Sequence, residues 1–168
     1  MDIRVREDGG AYYSDWGTGP RRCAVGRAGI AVKKREGDGV TPAGAWPLRR
    51  IFYRADRLVW PRCVLPISPL APHDGWCEAP EDPDYNRLVR LPHRATAESM
   101  WRDDHLYDVV VIVGYNDEPV IAGLGSAIFI HLARADFSPT AGCVALARPD
   151  LIEALAQLKA NDRLIVEG

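Results

Sequence analysis

Apolar positions along the chain come in short clusters set apart by turn residues, and their period is mostly that of strands. Tyr107-Asp108-Val109-Val110-Val111-Ile112-Val113-Gly114 is β-branched nearly throughout and stops on glycine, which predicts a buried strand. Ser126-Ala127-Ile128-Phe129-Ile130-His131-Leu132 predicts a second one, and residues 46–53 a third. Residues 22–30 mix β-compatible side chains with turn glycines. Glu36-Gly37-Asp38-Gly39, Thr41-Pro42-Ala43-Gly44 and Asn116-Asp117-Glu118-Pro119 mark turns, since these residue types supply positive φ, local hydrogen bonds and fixed φ. Only residues 149–159 carry helical spacing. Leu151, Ile152, Leu155 and Leu158 form one stripe, Pro149 suits the first helical position, and Asp150 suits the positive end of the helix. Lys159 complements the far end, and Asn161 can take the left-handed stop conformation. Residues 162–166 then predict a last strand. The expected architecture is mainly β: a sandwich or barrel-like sheet with one C-terminal helix, in a single domain spanning 1–168.

Residues 60–92 break this pattern. Pro61, Pro66, Pro69, Pro72, Pro80, Pro83 and Pro92 each lack an N–H and lock φ, which excludes a central strand or a long helix. A stiff, extended, proline-rich excursion over the surface is expected there. Loops of that length in compact domains usually serve as lids or binding loops, so a substrate-facing role is expected of it.

Composition narrows the function classes. At 47% hydrophobic residues over 168 positions, the chain can build a real core, so disorder is not the expectation. A net charge of -2 with interspersed signs argues against a nucleic-acid surface. The longest basic run, Lys33-Lys34-Arg35, reads as a solvated loop tip. No apolar run reaches the length of a membrane span, and the first seven residues lack the apolar core of a signal peptide. A cytosolic protein and one whose leader has been removed are both consistent with that. The four cysteines form no C-x-x-C pair and the four histidines no H-x-x-x-H pair, which argues against a structural zinc site. A Cys63–Cys77 disulfide is an option only in an oxidising compartment. Nothing in the sequence calls for a cofactor.

Chemistry concentrates near Cys143. A lone cysteine is usually inert packing, but this one follows Gly142, which lets the backbone turn tightly and aim N–H groups at a carbonyl. It lies in a loop after a buried strand, and that strand ends in His131. A nearby imidazole can take the thiol proton and give a nucleophilic thiolate. On the residues alone, two readings of His131 stay open: a hydrogen-bonded core histidine and a base.

These residues carry a resemblance. Ser126 to His131, followed by Ser138-Pro139-Thr140-Ala141-Gly142-Cys143-Val144-Ala145-Leu146, resembles the active-site signature of the YkuD-type L,D-transpeptidases. Thr41-Pro42-Ala43-Gly44 is similar to that family's TPxG hairpin. Asp74-Gly75-Trp76-Cys77, Tyr85-Asn86-Arg87-Leu88-Val89 and Tyr107-Asp108-Val109-Val110-Val111 look like one branch of it. The resemblance runs over roughly residues 22–168. It implies Cys143 as nucleophile, His131 as general base, the Leu132 carbonyl as the group that orients the imidazole, and N–H groups at Gly142, Cys143 and Ala141 as an oxyanion hole. Two positions depart from the pattern: Ala141 replaces the histidine before Gly-Cys, and Ala145 replaces an arginine two residues after the cysteine.

The resemblance further implies peptidoglycan stem peptides as donor and acceptor, a thioester intermediate, acylation by carbapenem-type β-lactams, and a periplasmic location. The altered loop resembles a branch whose donor is the first-position L-alanine, giving 1,3 rather than 3,3 crosslinks. Water as acceptor would make the enzyme an L,D-carboxypeptidase or endopeptidase, and a silent peptidoglycan-binding module is the non-enzymatic alternative. Arg134, and more weakly Arg102, are candidates for meeting stem carboxylates, although both also read as surface charges. Trp16, Trp46, Trp60 and Trp101 read as packing aromatics. Trp76 and Tyr85, in the proline-rich excursion, are the candidate substrate contacts. His73, His93 and His105 read as structural.

Overall fold

The computed structural model describes residues 1–59 and 63–168; Trp60 and Pro61, at the start of the predicted excursion, lie outside the described residues. In chain order the elements are β1 (Ile3–Asp8), β2 (Ala11–Asp15), β3 (Arg21–Ala24), β4 (Ile30–Ala31), β5 (Thr41–Pro42), β6 (Gly44–Tyr53), β7 (Ile67–Pro69), β8 (Asp74–Cys77), β9 (Leu88–Arg90), β10 (Ala97–Ser99), β11 (Val109–Val113), β12 (Phe129–Leu132), β13 (Val144–Leu146), α1 (Arg148–Gln157) and β14 (Arg163–Val166). The main sheet runs β11-β12-β13-β3-β2-β1-β14-β6-β7, and β11 also pairs with β6. That second pairing closes eight strands into a barrel, with β7 extending the edge of β6. Closure removes the free strand edges that an open sheet would expose.

The long apolar run of β11 has a simple cause. Val109, Val111 and Val113 join the barrel's inner core with Ile51, Ile130, Leu132, Val144 and Leu146. Val110 and Ile112 face outward onto a second apolar cluster with Phe52, Trp76, Met100, Tyr107 and Phe129. A strand buried on both faces cannot alternate with polar residues. The predicted helix forms, but it starts at Arg148 and ends at Gln157, before Lys159. Its stop is Leu158, in an extended conformation, while Asn161 takes positive φ three residues later, in the turn into β14. Leu151, Ala154 and Leu155 are fully buried in the inner core. No helix among the described residues is long and apolar enough to cross a membrane.

The proline-rich stretch is more structured than a bare excursion. It contributes β7 as a parallel edge strand and then β8 and β9, which join β10 just beyond it in a separate three-stranded sheet, β10-β8-β9. The prolines leave room for strands of only three or four residues between them. This small sheet lies over the outer face of β11 and β12 through Trp76, whose ring meets Phe129 edge-on at 5.1 Å. Cys63 and Cys77 are free thiols. Cys63 packs against the inner core. Cys77 is buried on β8 in register with Ala97, so the disulfide considered above does not form.

Candidate active site

Strand alternation sends β12 and β13 side chains to two sides of the barrel wall. Ile130, Leu132, Val144 and Leu146 point into the inner core. Phe129 and Cys143 fall in the outer cluster, beneath the small sheet. β12 and β13 run parallel, with Ile130 opposite Val144 and His131 opposite Ala145. His131 and Cys143 therefore come to the same outward face of adjacent strands, and both line one cleft of about 310 Å³.

Cys143 is buried. Its thiol donates to the Ala127 carbonyl at 3.1 Å, and Sγ accepts the Phe129 N–H at 3.4 Å. Burial pushes the thiol up to about 12, against a lowering contribution from the Phe129 N–H. His131 is also buried, and burial draws its imidazole down to about 4. Its Nδ1 lies 2.9 Å from the Leu132 carbonyl. A carbonyl only accepts, so Nδ1 carries the proton and Nε2 keeps its lone pair. The resting pair is a neutral thiol and a neutral imidazole. Tyr107 packs edge-on against the His131 ring at 5.3 Å and fixes its plane.

The loop before Cys143 is tied down from both sides. Gly142 has φ of 147° and donates its N–H to Thr140 Oγ1 at 3.0 Å, while Thr140 Oγ1 donates to the Cys143 carbonyl at 2.7 Å. The Gly142 N–H expected to face an oxyanion is thus engaged within its own loop. The N–H groups left for that task are those of Ala141 and Cys143. Thr41, fully buried, accepts the Gly26 N–H and donates to the Gly142 carbonyl, both at 2.8 Å. The TPxG turn therefore braces the loop that carries the thiol. Gly26 must be glycine, because a Cβ there would stand 2.1 Å from the Gly39 carbonyl oxygen.

Ala141 and Arg134 line the cleft, and so does Arg102, which is bound bidentately to Asp104 at 2.7 and 2.8 Å. Leu132 is buried and meets the cleft only through its carbonyl's bond to His131. Trp76 and Tyr85 do not line it. Trp76 Nε1 donates to Asn86 Oδ1 at 2.9 Å, and the Tyr85 hydroxyl donates to Glu36 and accepts the Gly125 N–H. Both are scaffold, because their polar tips are already satisfied inside the fold. Lys33, expected at a solvated tip, is buried, lines the cleft and pairs with Asp38 at 2.5 Å. Its aliphatic stem packs where a loop tip would have been wet.

Sequence reasoning missed the acidic wall. Glu36, Glu78 and Glu98 all line the cleft, yet they come from a turn, the end of β8 and β10. No spacing in the sequence announces them. Cys77, Asp82 and His93 also bring possible metal-ligand atoms within 4.8 Å of one another. Asp82, however, is held by Arg94 at 2.7 Å and His93 by Asp84 at 3.3 Å, and none of the three lines the cleft. His105 Nε2 bonds the Ala133 carbonyl at 2.9 Å, a structural contact.

The arrangement supplies a thiol, an imidazole with a free lone pair, backbone N–H groups beside the thiol and walls of both charges. It suits acyl transfer through a covalent cysteine intermediate. A family model for the YkuD L,D-transpeptidase catalytic domain matches residues 3–166, so the match takes in β1 and β2, upstream of the region where the motifs lie. Among curated proteins, none matches the chain.

Proposed function

The chain belongs to the YkuD family of L,D-transpeptidase catalytic domains, and from that premise we propose that it crosslinks peptidoglycan stem peptides through a thioester on Cys143. The observation that carries the proposal is the shared cleft of Cys143 and His131, with the Nδ1 proton of His131 held by Leu132. In this mechanism His131 Nε2 takes the thiol proton as Sγ attacks a stem-peptide carbonyl. The Ala141 and Cys143 N–H groups stabilise the tetrahedral oxyanion, and the imidazolium then protonates the departing amine. A second stem's amine attacks the thioester, the C–S bond breaks, and the thiol re-forms. Such chemistry belongs in the periplasm, where the substrate is.

The donor bond is the finer part of the reading. Ala141 is exposed at the cleft and Ala145 is buried beside His131, so neither position offers a polar group to a donor terminus. The loss of polar side chains at these two positions supports the first-position L-alanine as donor and a 1,3 crosslink. Pure protein incubated with stem peptides should give muropeptide dimers joined through that residue, resolved by tandem mass spectrometry. Dimers joined only through third residues would sink the 1,3 assignment. Hydrolysed stems with no dimer, even with amine acceptor in excess, would make the enzyme a carboxypeptidase. Intact mass should show a carbapenem adduct that Cys143→Ala lacks; a wild-type chain that never acylates would leave only a binding module.

A further inference from the structure

The acidic wall of the cleft has no use in the acylation step. Glu36 and Glu98 are each committed: Glu36 accepts the Tyr85 hydroxyl, and Glu98 accepts the Tyr107 hydroxyl at 2.5 Å. Glu78 is different. Among the described residues its carboxylate has no hydrogen bond or ion pair, although it lines the cleft and lies close enough to Glu98 and Glu36 to feel both. Of the three cations that line the cleft with them, Lys33, Arg102 and Arg134, two are already engaged. Lys33 is bound to Asp38, and Arg102 is bound to Asp104 and stands 3.9 Å from Glu98. A second, independent feature sits in the same cleft. Ser126 is 7% exposed, and its Oγ lies next to the Tyr85 phenol without reaching hydrogen-bond geometry. Buried polar atoms are normally paired, so this one is short of a partner. A half-buried group of like charges and an unpaired hydroxyl line the cleft that holds Cys143. A ligand bringing a positive charge and several N–H donors satisfies both.

We propose that Glu78, in the same cleft as Ser126 Oγ, binds the primary ammonium of the acceptor stem and takes its proton as the amine attacks the Cys143 thioester. The inference rests on the acyl-transfer reading above. An ammonium cannot attack a carbonyl, because its lone pair is held by a proton. Transfer of that proton to the Glu78 carboxylate frees the pair. The nitrogen then bonds to the thioester carbon, its second proton passes to His131 Nε2, the C–S bond breaks, and the imidazolium returns that proton to sulfur. The products are an amide, the free Cys143 thiol and a protonated Glu78 that releases its proton to solvent. Burial, with Glu98 and Glu36 adding to it, pushes the Glu78 carboxyl up to about 7, which suits a group that must accept and shed a proton near neutrality.

The test separates the two half-reactions in the full chain. Intact mass follows formation of the Cys143 thioester with a donor stem. Its decay is then timed with an acceptor stem bearing a primary amine and, separately, with hydroxylamine, which is neutral at pH 7. Glu78→Gln should slow decay by the stem amine on the order of 10²-fold and raise the acceptor KM, while slowing acylation and decay by hydroxylamine far less. Equal slowing of both nucleophiles, or no slowing of either, overturns the assignment. A wild-type chain that forms no thioester defeats the acyl-transfer reading and takes this inference with it. If the variant misfolds, the wild-type chain still decides. A dimethylated, charged acceptor analogue should compete with the stem amine, and an analogue with hydrogen in place of the amine should not. Equal competition by the two overturns the proposal.

Discussion

Cys143 donates an S–H hydrogen bond to the Ala127 carbonyl at 3.1 Å and has burial pushing its pKa up to about 12, while the imidazole assigned to serve it is drawn down to about 4. Such a pair does not rest as thiolate and imidazolium; in the proposed mechanism the proton moves when a carbonyl arrives. Alkylation of Cys143 by iodoacetamide should therefore be slow at pH 7 and rise about tenfold per pH unit through pH 9, since only the thiolate reacts. A plateau near pH 6, read by intact mass, would show a standing ion pair instead. Thr41 makes a second residue-scale test. Thr41→Val keeps the shape but strips the partner from the Gly26 N–H and the Gly142 carbonyl, both in buried bonds. Urea unfolding should show a loss of about 1–3 kcal/mol, and thioester formation should slow because the Gly142-Cys143 turn is no longer braced. The sequence singled out Cys143 and His131 because one lies beside a glycine and the other at a strand end. It hid Glu78 and Glu98, whose only signal is three-dimensional.

Elements divide in the same way between local and distant causes. β6, β11, β12 and α1 were legible because their own residues dictate period and burial: β11 is apolar on both faces, and α1 carries one buried stripe. β8, β9 and β10 were not, because they are three or four residues long and owe their existence to pairing with one another. Asn86 fastens that small sheet to the barrel. Its Oδ1 accepts Trp76 Nε1 and the Ala127 N–H, and its Nδ2 donates to the Tyr115 and Asn116 carbonyls. It also holds φ at 57°, which asparagine tolerates better than most residues. Ala127 is the same residue whose carbonyl holds the Cys143 thiol. Asn86→Ala should cost about 1–3 kcal/mol for each buried group left unpaired. It should also raise hydrogen exchange across residues 74–99 while the barrel strands stay protected. Uniform loosening of barrel and small sheet would mean that the two unfold as one unit.

At the scale of the molecule, the barrel closes through pairings the sequence concealed, β1 with β14 and β6 with β11, which join residues far apart along the chain. The cleft is built on the outside of that barrel, so its buried titratable groups draw on the stability of the whole. Two of them pull in opposite directions with pH. Burial lowers His131 from 6.5 to about 4, so its neutral form is fully supported above pH 6.5 and that support is lost as pH falls toward 4. Burial, with Glu98 and Glu36 beside it, raises Glu78 from 4.5 to about 7, so its contribution is present below pH 4.5 and lost as pH rises through 7. Between pH 4.5 and 6.5 the slopes of these two groups oppose each other. Glu78→Gln removes one slope. It should leave Tm unchanged at pH 4 and raise it at pH 8 by a few degrees, since ~1 kcal/mol moves Tm by about 2–4 °C in a chain of this size. Calorimetry across that range checks the sign. A variant less stable than wild type at pH 8 would mean that the Glu78 carboxylate is held by a favourable partner in the folded chain, and the strained, unpaired acid wall would have to be abandoned.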